Sequence, residues 1–340
     1  MADELRRRRP AAAISFVGAE RGLECRLVPE SGYPLRTLPL AGLKGASLAG
    51  KLRAALAAAV AVMRCRRWMG RERPDLAIGV GGYASGPAIL AARTLGVATM
   101  VMEQNHFPGA TNRWLAPRVG AVCVPSDAAA ARLRGKTIVT GNPVRSDFFF
   151  VREKTAVDGT NMLIFGGSRG ARSINRAVCA ALESLGRMQP LPRIAHQTGT
   201  DDEAEVRQAY EGYPGEYEVG AFFDDMPRRF GWADLIVCRA GASTLSELSA
   251  AGRPALLVPY PYAADDHQRH NAETLREAGA ALMLTDAELS GPSLAAAVEQ
   301  LSEPERRREM GRAARRLAQP DAARRIADVA EALIEGRDVP

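Results

Sequence analysis

Residues 161–171 read Asn-Met-Leu-Ile-Phe-Gly-Gly-Ser-Arg-Gly-Ala, a short apolar run followed at once by glycines. Such a run is typical of a buried strand that turns tightly into a helix. Glycines let the main chain approach an anion closely, and the free N–H groups at the start of a helix favour a phosphate. A tight turn capped by Ser168 explains the same letters without a ligand, so both interpretations stay open.

Apolar runs alternate with helix-like stretches on both sides of this segment. They cover 12–17, 75–80, 97–102, 121–124 and 137–140 in the first half, and 161–165, 193–197, 216–219, 235–238 and 254–259 in the second. This alternation predicts parallel β-α-β units. Because 340 residues are too many for one ordinary core, we expect an α/β protein with two doubly wound, Rossmann-like domains, 1–142 and 143–340.

The composition narrows the possible partners. The chain has 46% apolar and 25% charged residues, as a globular protein does, and its net charge of +6 suits anionic ligands. Only 6% of residues are aromatic and no base-reading motif is present, which argues against nucleic acid. Five widely spaced cysteines predict neither a disulfide framework nor a metal pair. With no signal region and no apolar stretch of about 20 residues, we expect a cytoplasmic protein.

A second turn, Arg-Ala-Gly-Ala-Ser-Thr-Leu-Ser-Glu at 239–247, opens another helix after a buried-looking strand. Thr244 and Glu247 have the spacing of a capping box, which is a purely structural account. A carboxylate one turn into a helix that holds phosphates at its tip is equally well placed for ribose hydroxyls. The sequence leaves these two interpretations open.

A third polar cluster occupies 259–271. Gln268 and Asn271 are three residues apart, so we expect their amides to share a helix face and to bind one sugar. Asp265, Asp266 and His267 are consecutive and do not converge on one ion without a bend in the loop, which argues against a metal site.

The first half carries further candidates. The turn at 79–87 again follows a strand and precedes a helix, with Pro87 suited to the first helical position and the glycines suited to a second anion. Glu103, Asn105 and His106 follow another strand, and His106 taken alone is interpreted as a surface loop histidine. Arg145, near the interdomain turn, is placed to neutralise a diphosphate.

Together these segments resemble the MurG family of glycosyltransferase family 28. The likeness runs from 16–24 through Gly81, 103–105, 141–145 and 166–168 to Asn271. It implies a GT-B fold with two Rossmann-like domains facing a central cleft. The N-terminal domain would carry the acceptor and membrane functions. The C-terminal domain would bind UDP-N-acetylglucosamine, and its last helix (about 321–336) would pack back on the N-terminal domain.

The resemblance also implies a role for individual residues. Ser168 and Arg145 would meet the diphosphate, Phe223 would contact uracil through its main chain, and Glu247 would hold the ribose. Ala242, Ser243 and Thr244 would supply main-chain donors, and Leu245 and Ser246, which follow them, would belong to the same donor-binding set. Gln268 would contact N-acetylglucosamine, Asn271 would do so more weakly, and Asn105 would reach the donor from the opposite domain. The acceptor diphosphate would face Gly81, Gly82, Tyr83, Ser85 and Gly86.

The implied reaction is an inverting transfer of N-acetylglucosamine to the 4-hydroxyl of the muramoyl sugar in undecaprenyl-diphospho-muramoyl-pentapeptide (lipid I), with UDP as leaving group. Helix termini and Arg145 would stabilise that group, and we expect no cofactor and no metal. A base must take the hydroxyl proton, and Glu103 is a candidate by position. The remaining implied partners are an anionic surface at the cytoplasmic face of the plasma membrane, contacted peripherally, and other cell-wall synthesis proteins.

The apolar stretches 38–48 and 54–63 are the candidates for that membrane contact. They are edged by Lys44, Lys51, Arg53, Arg64, Arg66 and Arg67. Basic residues around apolar surface are expected where a protein touches anionic lipid. A core helix with charged ends is the other interpretation.

One departure from the family bears on activity. Family members begin with a strand and a Gly-Gly-Thr-Gly-Gly-His turn that have no counterpart here. We therefore expect the natural product to be longer, and weak or no turnover if Met1 is the true start. A catalytically impaired UDP-sugar-binding protein, another GT-B transferase and a UDP-sugar epimerase remain alternatives.

Overall fold

The computed structural model describes residues 1–20, 22, 24–39, 48–153, 160–167 and 169–339, without the side chains of 48–55 and 83. The chain divides into two compact units. Unit 1 comprises Met1–Asn142 and Asp321–Pro340, and unit 2 comprises Pro143–Pro320. Ser168, part of the 38–48 stretch and the side chain of Tyr83 therefore lie outside the described residues.

Unit 1 contains parallel strands covered by helices. Its strands are β1 (Phe16–Ala19), β2 (Leu35–Leu38), β3 (Leu76–Gly79), β4 (Ala98–Met102), β5 (Ala121–Val124) and β6 (Thr137–Val139). β1 pairs with β2, and the other four form a sheet in the order β3-β4-β5-β6. Its helices are α1 (Ala2–Arg8), α2 (Glu24–Glu30), α3 (Leu48–Glu72), α4 (Gly82–Thr94), α5 (Ala110–Leu115), α6 (Asp127–Ala130) and α14 (Ala322–Ile334).

Unit 2 is one six-stranded parallel sheet in the order β12-β11-β10-β7-β8-β9. Its strands are β7 (Asn161–Phe165), β8 (Arg193–Gln197), β9 (Tyr217–Gly220), β10 (Leu235–Cys238), β11 (Ala255–Leu257) and β12 (Ala281–Met283). Its helices are α7 (Arg172–Leu185), α8 (Glu203–Tyr210), α9 (Met226–Trp232), α10 (Ala242–Ala251), α11 (His267–Glu277), α12 (Gly291–Gln300) and α13 (Pro304–Arg316).

Apolar strands buried on both faces hold unit 2 together. Leu163 and Ile236 pack into one core with Phe230 and Leu248. Their neighbours along the strands, such as Ile164, pack into a second core on the other side of the sheet. Because every strand residue of β7 and β10 is buried, these strands read as continuous apolar runs rather than alternating ones.

Strand order creates a switch point between β7 and β10. The chain moves from β7 outward to β8 and β9, then returns to place β10 on the other side of β7. Phe165 and Cys238, the last residues of the two strands, lie side by side in the register. Ligands of such sheets bind beyond the carboxyl ends of the strands at this point.

All ten strands expected from the sequence are present, with ends shifted by up to four residues. Two strands were missed. β2 reads Leu-Arg-Thr-Leu, which lacks a clear apolar run, and β12 has only three residues at the edge of its sheet. The last helix, expected at about 321–336, is α14, and a break that includes Pro320 separates it from α13.

Candidate functional site

The first turn of the site links β7 to α7. Gly167 and Gly170 have positive φ angles of 94° and 75°, a region that disfavours side chains. A Cβ on Gly170 would lie 1.8 Å from the carbonyl oxygen of Thr198. The N-cap of α7 is Ala171, with no side-chain cap hydrogen bond. Ser168, the cap suggested by the sequence, lies outside the described residues.

The second turn links β10 to α10, directly beside the first. The N-cap of α10 is Gly241, again without a side-chain cap hydrogen bond. The capping box of Thr244 and Glu247 is therefore not formed, because α10 starts two residues before Thr244. Among the described residues, no hydrogen bond uses the main-chain N–H groups of Ala242, Ser243 and Thr244. They are the donors that every helix start leaves for an external acceptor.

Two other residues of this segment serve the helix itself. The N–H of Leu245 donates to the carbonyl of Gly241, and its side chain is buried in the core. Ser246 Oγ donates to the carbonyl of Ala242 at 2.9 Å. The place of Leu245 in the donor-binding set is therefore not supported, because its N–H is already used and its side chain lies in the core.

Glu247 is half-buried one turn into α10. Burial raises the pKa of its carboxyl to about 7, and the positive charge of Arg145 acts in the opposite direction. Arg145 is exposed, with its guanidinium carbon 5.2 Å from the ring centre of Phe148. One region of unit 2 thus contains the Arg145 guanidinium, the Glu247 carboxyl and the main-chain N–H groups at the start of α10.

The segment around Phe223 is tied to β8. The N–H of Phe223 donates to Gln197 Oε1 at 2.9 Å, and the guanidinium carbon of Arg229 lies 3.4 Å from the ring centre. The N–H is therefore occupied, so a main-chain contact with uracil would use the carbonyl oxygen. Sequence reasoning missed Gln197, although its position at the end of a buried strand is a signal of the same kind that marked Glu103.

Gln268 and Asn271 do not act as a pair. Gln268 Oε1 accepts from the N–H of Tyr260 at 2.9 Å near the surface. Asn271 has no exposed surface, and its Nδ2 donates to the carbonyl of Ala240 at 3.3 Å. The prediction that both amides face one sugar is wrong in this structure, because Asn271 supports the β10–α10 turn from behind.

Arg239, also missed, braces the same turn. Its Nη1 contacts Asp286 Oδ1 at 2.6 Å, and its Nη2 donates to Ser173 Oγ at 2.7 Å. Ser173 in turn donates to Asp286 at 2.8 Å. These bonds join the starts of α7 and α10, since Arg239 precedes one helix and Ser173 belongs to the other.

In unit 1, the glycine turn precedes α4. Gly81 and Gly82 have positive φ angles of 85° and 75°. Pro87 lies inside the helix rather than at its first position, because α4 begins at Gly82. Ser85 is buried, and its Oγ would lie 3.2 Å from a Cβ on Gly79. The hydroxyl thus lies against β3, which contradicts a direct contact with the acceptor. A Cβ on Gly86 would contact Thr111 at 3.8 Å.

Glu103 organises the loop after β4. Its Oε1 accepts from the main-chain N–H of Asn105 at 2.8 Å and from Asn105 Nδ2 at 3.0 Å. Its Oε2 accepts from the N–H of Gly109 at 3.0 Å and from Asn112 Nδ2 at 2.8 Å. The carboxylate is buried and shared among four donors, so the suggestion that Glu103 is the base is not supported. It holds Asn105 in place instead.

His106 is not a surface histidine. It is half-buried, its Nδ1 lies 2.9 Å from Ser126 Oγ, and burial lowers its pKa.

In unit 2, Asp265 and Asp266 have φ angles of 53° and 52°, and His267 Nδ1 lies 2.6 Å from the carbonyl of Ala264. Within the described ranges, no group of three or more His, Cys, Asp or Glu residues is arranged to hold a metal ion.

Family models match most of the chain. The glycosyltransferase family 28 N-terminal domain matches residues 1–124, and the glycosyltransferase family 28 C-terminal domain matches 161–326. The chain belongs to glycosyltransferase family 28.

Two curated relatives are named UDP-N-acetylglucosamine–N-acetylmuramyl-(pentapeptide) pyrophosphoryl-undecaprenol N-acetylglucosamine transferase. The one from Myxococcus xanthus is 42% identical over 97% of this chain and 87% of its own length. The one from a Geobacter species is 42% identical over 96% and 89%.

Solved structures agree with this family 28 assignment. MurG of Acinetobacter baumannii superimposes with a TM-score of 0.75 at 29% identity, covering 97% of this chain and 94% of its own. A putative UDP-N-acetylglucosamine 2-epimerase from Listeria monocytogenes has a TM-score of 0.63 at 14% identity, covering 97% and 99%. The epimerase shares the fold alone. The two parallel-sheet domains are those of the GT-B fold.

Proposed function

We propose that this chain transfers N-acetylglucosamine from UDP-N-acetylglucosamine to the 4-hydroxyl of the muramoyl sugar in lipid I, forming lipid II. The observation that carries the proposal is the pair of helix starts at the switch point of unit 2. Both α7 and α10 begin without side-chain caps beside the ends of β7 and β10. The names of the family 28 relatives supply the substrates.

The donor would lie across these two helix starts. The N–H groups of Ala242, Ser243 and Thr244 would bind diphosphate oxygens, with the positive end of the helix dipole behind them. Arg145 would add a full positive charge on the same side as Glu247, whose carboxylate would accept hydrogen bonds from ribose hydroxyls. Gln268, near the surface of unit 2, would meet the sugar.

The chemistry follows from these positions. Attack of the acceptor hydroxyl on the anomeric carbon forms the new glycosidic bond and breaks the bond to UDP, while the hydroxyl proton passes to a base other than Glu103. Negative charge grows on the leaving diphosphate. Helix amides and Arg145 stabilise that charge more strongly in the transition state than in the ground state, which lowers the barrier. In unit 1, the glycine turn before α4 would hold the acceptor diphosphate.

Calorimetric titration tests the donor site. Wild type should bind UDP-N-acetylglucosamine, and Glu247→Ala should weaken binding by about tenfold or more, because two hydrogen bonds to a charged group are lost. Glu183→Ala, which removes an exposed α7 carboxylate that pairs with Arg187, is the matched control. Equal affinity of wild type and Glu247→Ala would remove the ribose assignment. Transfer to undecaprenyl-linked muramoyl peptide tests the reaction, and donor binding without transfer would favour a binding protein.

We also propose that unit 1 contacts an anionic membrane surface peripherally, at the cytoplasmic face of the plasma membrane. Leu56 and Met63 on α3 are 61% and 63% exposed, and Val60 lies between them on the same face. Arg64, Arg66 and Arg67 follow at once and are exposed. The other face of α3 packs Ala61 and Cys65 into a core. No described helix is long and apolar enough to cross a bilayer.

Flotation with liposomes tests this surface. Wild type should float with vesicles that contain anionic lipid, and less so at high salt. Leu56→Asp with Met63→Asp should abolish flotation and leave the melting temperature near that of wild type, because both side chains are exposed. Flotation of the double variant at the wild-type level would contradict the proposal.

A further inference from the structure

Gln197 joins two loops that belong to different parts of the proposed donor site. It is the last residue of β8, and only 3% of its surface is exposed. Its Nε2 donates to the carbonyl of Gly167, in the turn before α7, at 3.0 Å. Its Oε1 accepts from the N–H of Phe223 at 2.9 Å. A side-chain amide is one of the few groups that can donate and accept in this way.

The end of β8 is itself held in place by a buried polar network. Asn175 on α7 donates through Nδ2 to the carbonyl of Thr198 at 2.9 Å. Its Oδ1 lies 3.1 Å from His196 Nε2, and His196 Nδ1 lies 3.2 Å from the hydroxyl of Tyr210. His196 is fully buried, and burial lowers its pKa to about 3. The ring is therefore neutral at physiological pH.

Gly170 packs tightly against Thr198, which restricts the position of the turn before α7. The same carbonyl that accepts from Asn175 lies 1.8 Å from where a Cβ of Gly170 would be. The turn before α7 is therefore fixed to the end of β8 on one side by contact, and on the other by the Gln197 amide. Because buried amide groups strongly prefer to keep both partners, Gln197 has one favourable arrangement.

We propose that Gln197 is a positioning residue that couples the diphosphate-binding turn at Gly167 to the uracil-binding segment at Phe223. This inference rests on the proposed function, which places the donor diphosphate at the start of α7, and on the contact of Phe223 with uracil that the family resemblance implies. Gln197 contacts both loops directly, so its side chain links a change in one to the other. The diphosphate and the uracil therefore bind to loops whose conformations are fixed before binding, which lowers the entropy cost of binding.

Two substitutions separate the two bonds. Gln197→Glu keeps an acceptor for the N–H of Phe223 but presents an oxygen, without a hydrogen, to the carbonyl of Gly167. Gln197→Met removes both bonds at similar size and without charge. Gln208→Glu, on the exposed side of α8, is the matched control for the charge. The readouts are hydrogen–deuterium exchange of peptides covering 163–172 and 219–226 in the free protein, and affinities for UDP and uridine.

We expect Gln197→Glu to speed exchange in 163–172 alone, and Gln197→Met to speed it in both peptides. Gln197→Met should weaken UDP by about tenfold, the factor that 1.4 kcal/mol represents, and weaken uridine as well. The negative charge of Gln197→Glu would itself repel the diphosphate of UDP. For this variant the test is therefore hydrogen–deuterium exchange and not the affinity for UDP. If that variant does not fold, Gln197→Met decides alone.

The inference is overturned if Gln197→Met binds UDP as wild type does, or if both variants change the two peptides equally. Failure of the proposed function is a separate result. In that case wild type itself would not bind UDP, whatever the exchange of the variants.

Discussion

Burial of Glu247 favours its neutral form in the free protein, whereas its proposed role in binding ribose hydroxyls favours the ionised form. Glu247 is half-buried, which raises its pKa to about 7 from an ordinary 4.5, yet its proposed partner is a pair of hydroxyl groups that favours the ionised form. Because the folded pKa is raised, the contribution of Glu247 to stability is full below about 4.5 and is lost as the pH rises through about 7. Donor hydroxyls would relieve this burial penalty by bonding to the carboxylate.

Donor binding should therefore be linked to the ionisation of Glu247. Affinity for UDP-N-acetylglucosamine should rise with pH up to about 7 and level off above it, by up to about tenfold per pH unit on the rising limb. Up to one proton should be released on binding at pH 6. Titrations in buffers of different ionisation enthalpy measure this release, and Glu247→Gln should remove both effects. A pH-independent affinity in wild type would show that the carboxyl does not change ionisation state.

Individual residues show what the sequence could and could not predict about the site. Position after a strand marked Glu103 as a candidate, and the spacing from Gln268 marked Asn271. The sequence could not show that Glu103 is shared among four donors of its own loop, or that Asn271 is fully buried. The first depends on how the loop folds around Glu103, and the second on packing against the distant turn at Ala240. The contacts of Gln197 with Gly167 and Phe223 are likewise distant in the sequence.

At the scale of elements, the strands were predictable because most are apolar runs that end at glycine, proline or asparagine. The residues at which the helices start were not predictable in the same way. The spacing of Thr244 and Glu247 suggested a capping box at Thr244, whereas α10 is preceded by Gly241. Local side-chain chemistry favours a cap, but the ends of β7 and β10 fix where the chain must turn. Because both helices start without a side-chain cap, α10 keeps the main-chain donors to which the proposed nucleotide would bind.

The β7–α7 turn should not tolerate a side chain at Gly170. Gly170→Ala must adopt a positive φ, at about 1 kcal/mol or more, and its Cβ would overlap the carbonyl of Thr198. We expect a lower melting temperature and a loss of UDP affinity of at least tenfold, about 1.4 kcal/mol. Gly212→Ala is the control, since no atom lies within 4 Å of its Cβ. Titration with UDP and thermal unfolding measure both effects. Wild-type affinity in Gly170→Ala would show that the turn does not bind the diphosphate.

At the scale of the whole molecule, the last helix belongs to the first unit. Ile326, Val329 and Ala330 of α14 pack against Met100 and Cys123 of the unit 1 sheet. Ion pairs add to this contact, with Arg8 Nη1 at 2.7 Å from Asp328 and 3.0 Å from Glu331. A short segment after Pro320 therefore completes a core whose strands lie some two hundred residues earlier in the chain.

A charge placed in that core should open unit 1 and spare unit 2. Val329 is fully buried, so Val329→Asp buries an unpaired carboxylate at a cost of several kcal/mol. Arg325→Asp introduces the same group on the exposed side of α14 and is the control. Hydrogen–deuterium exchange should show lost protection in 98–102 and 121–124, with 161–165 and 235–238 still protected. UDP should continue to stabilise the protein, because the proposed donor residues lie in unit 2. Equal loss of protection in all four strands would mean that the two units unfold as one, and the donor site would then depend on α14.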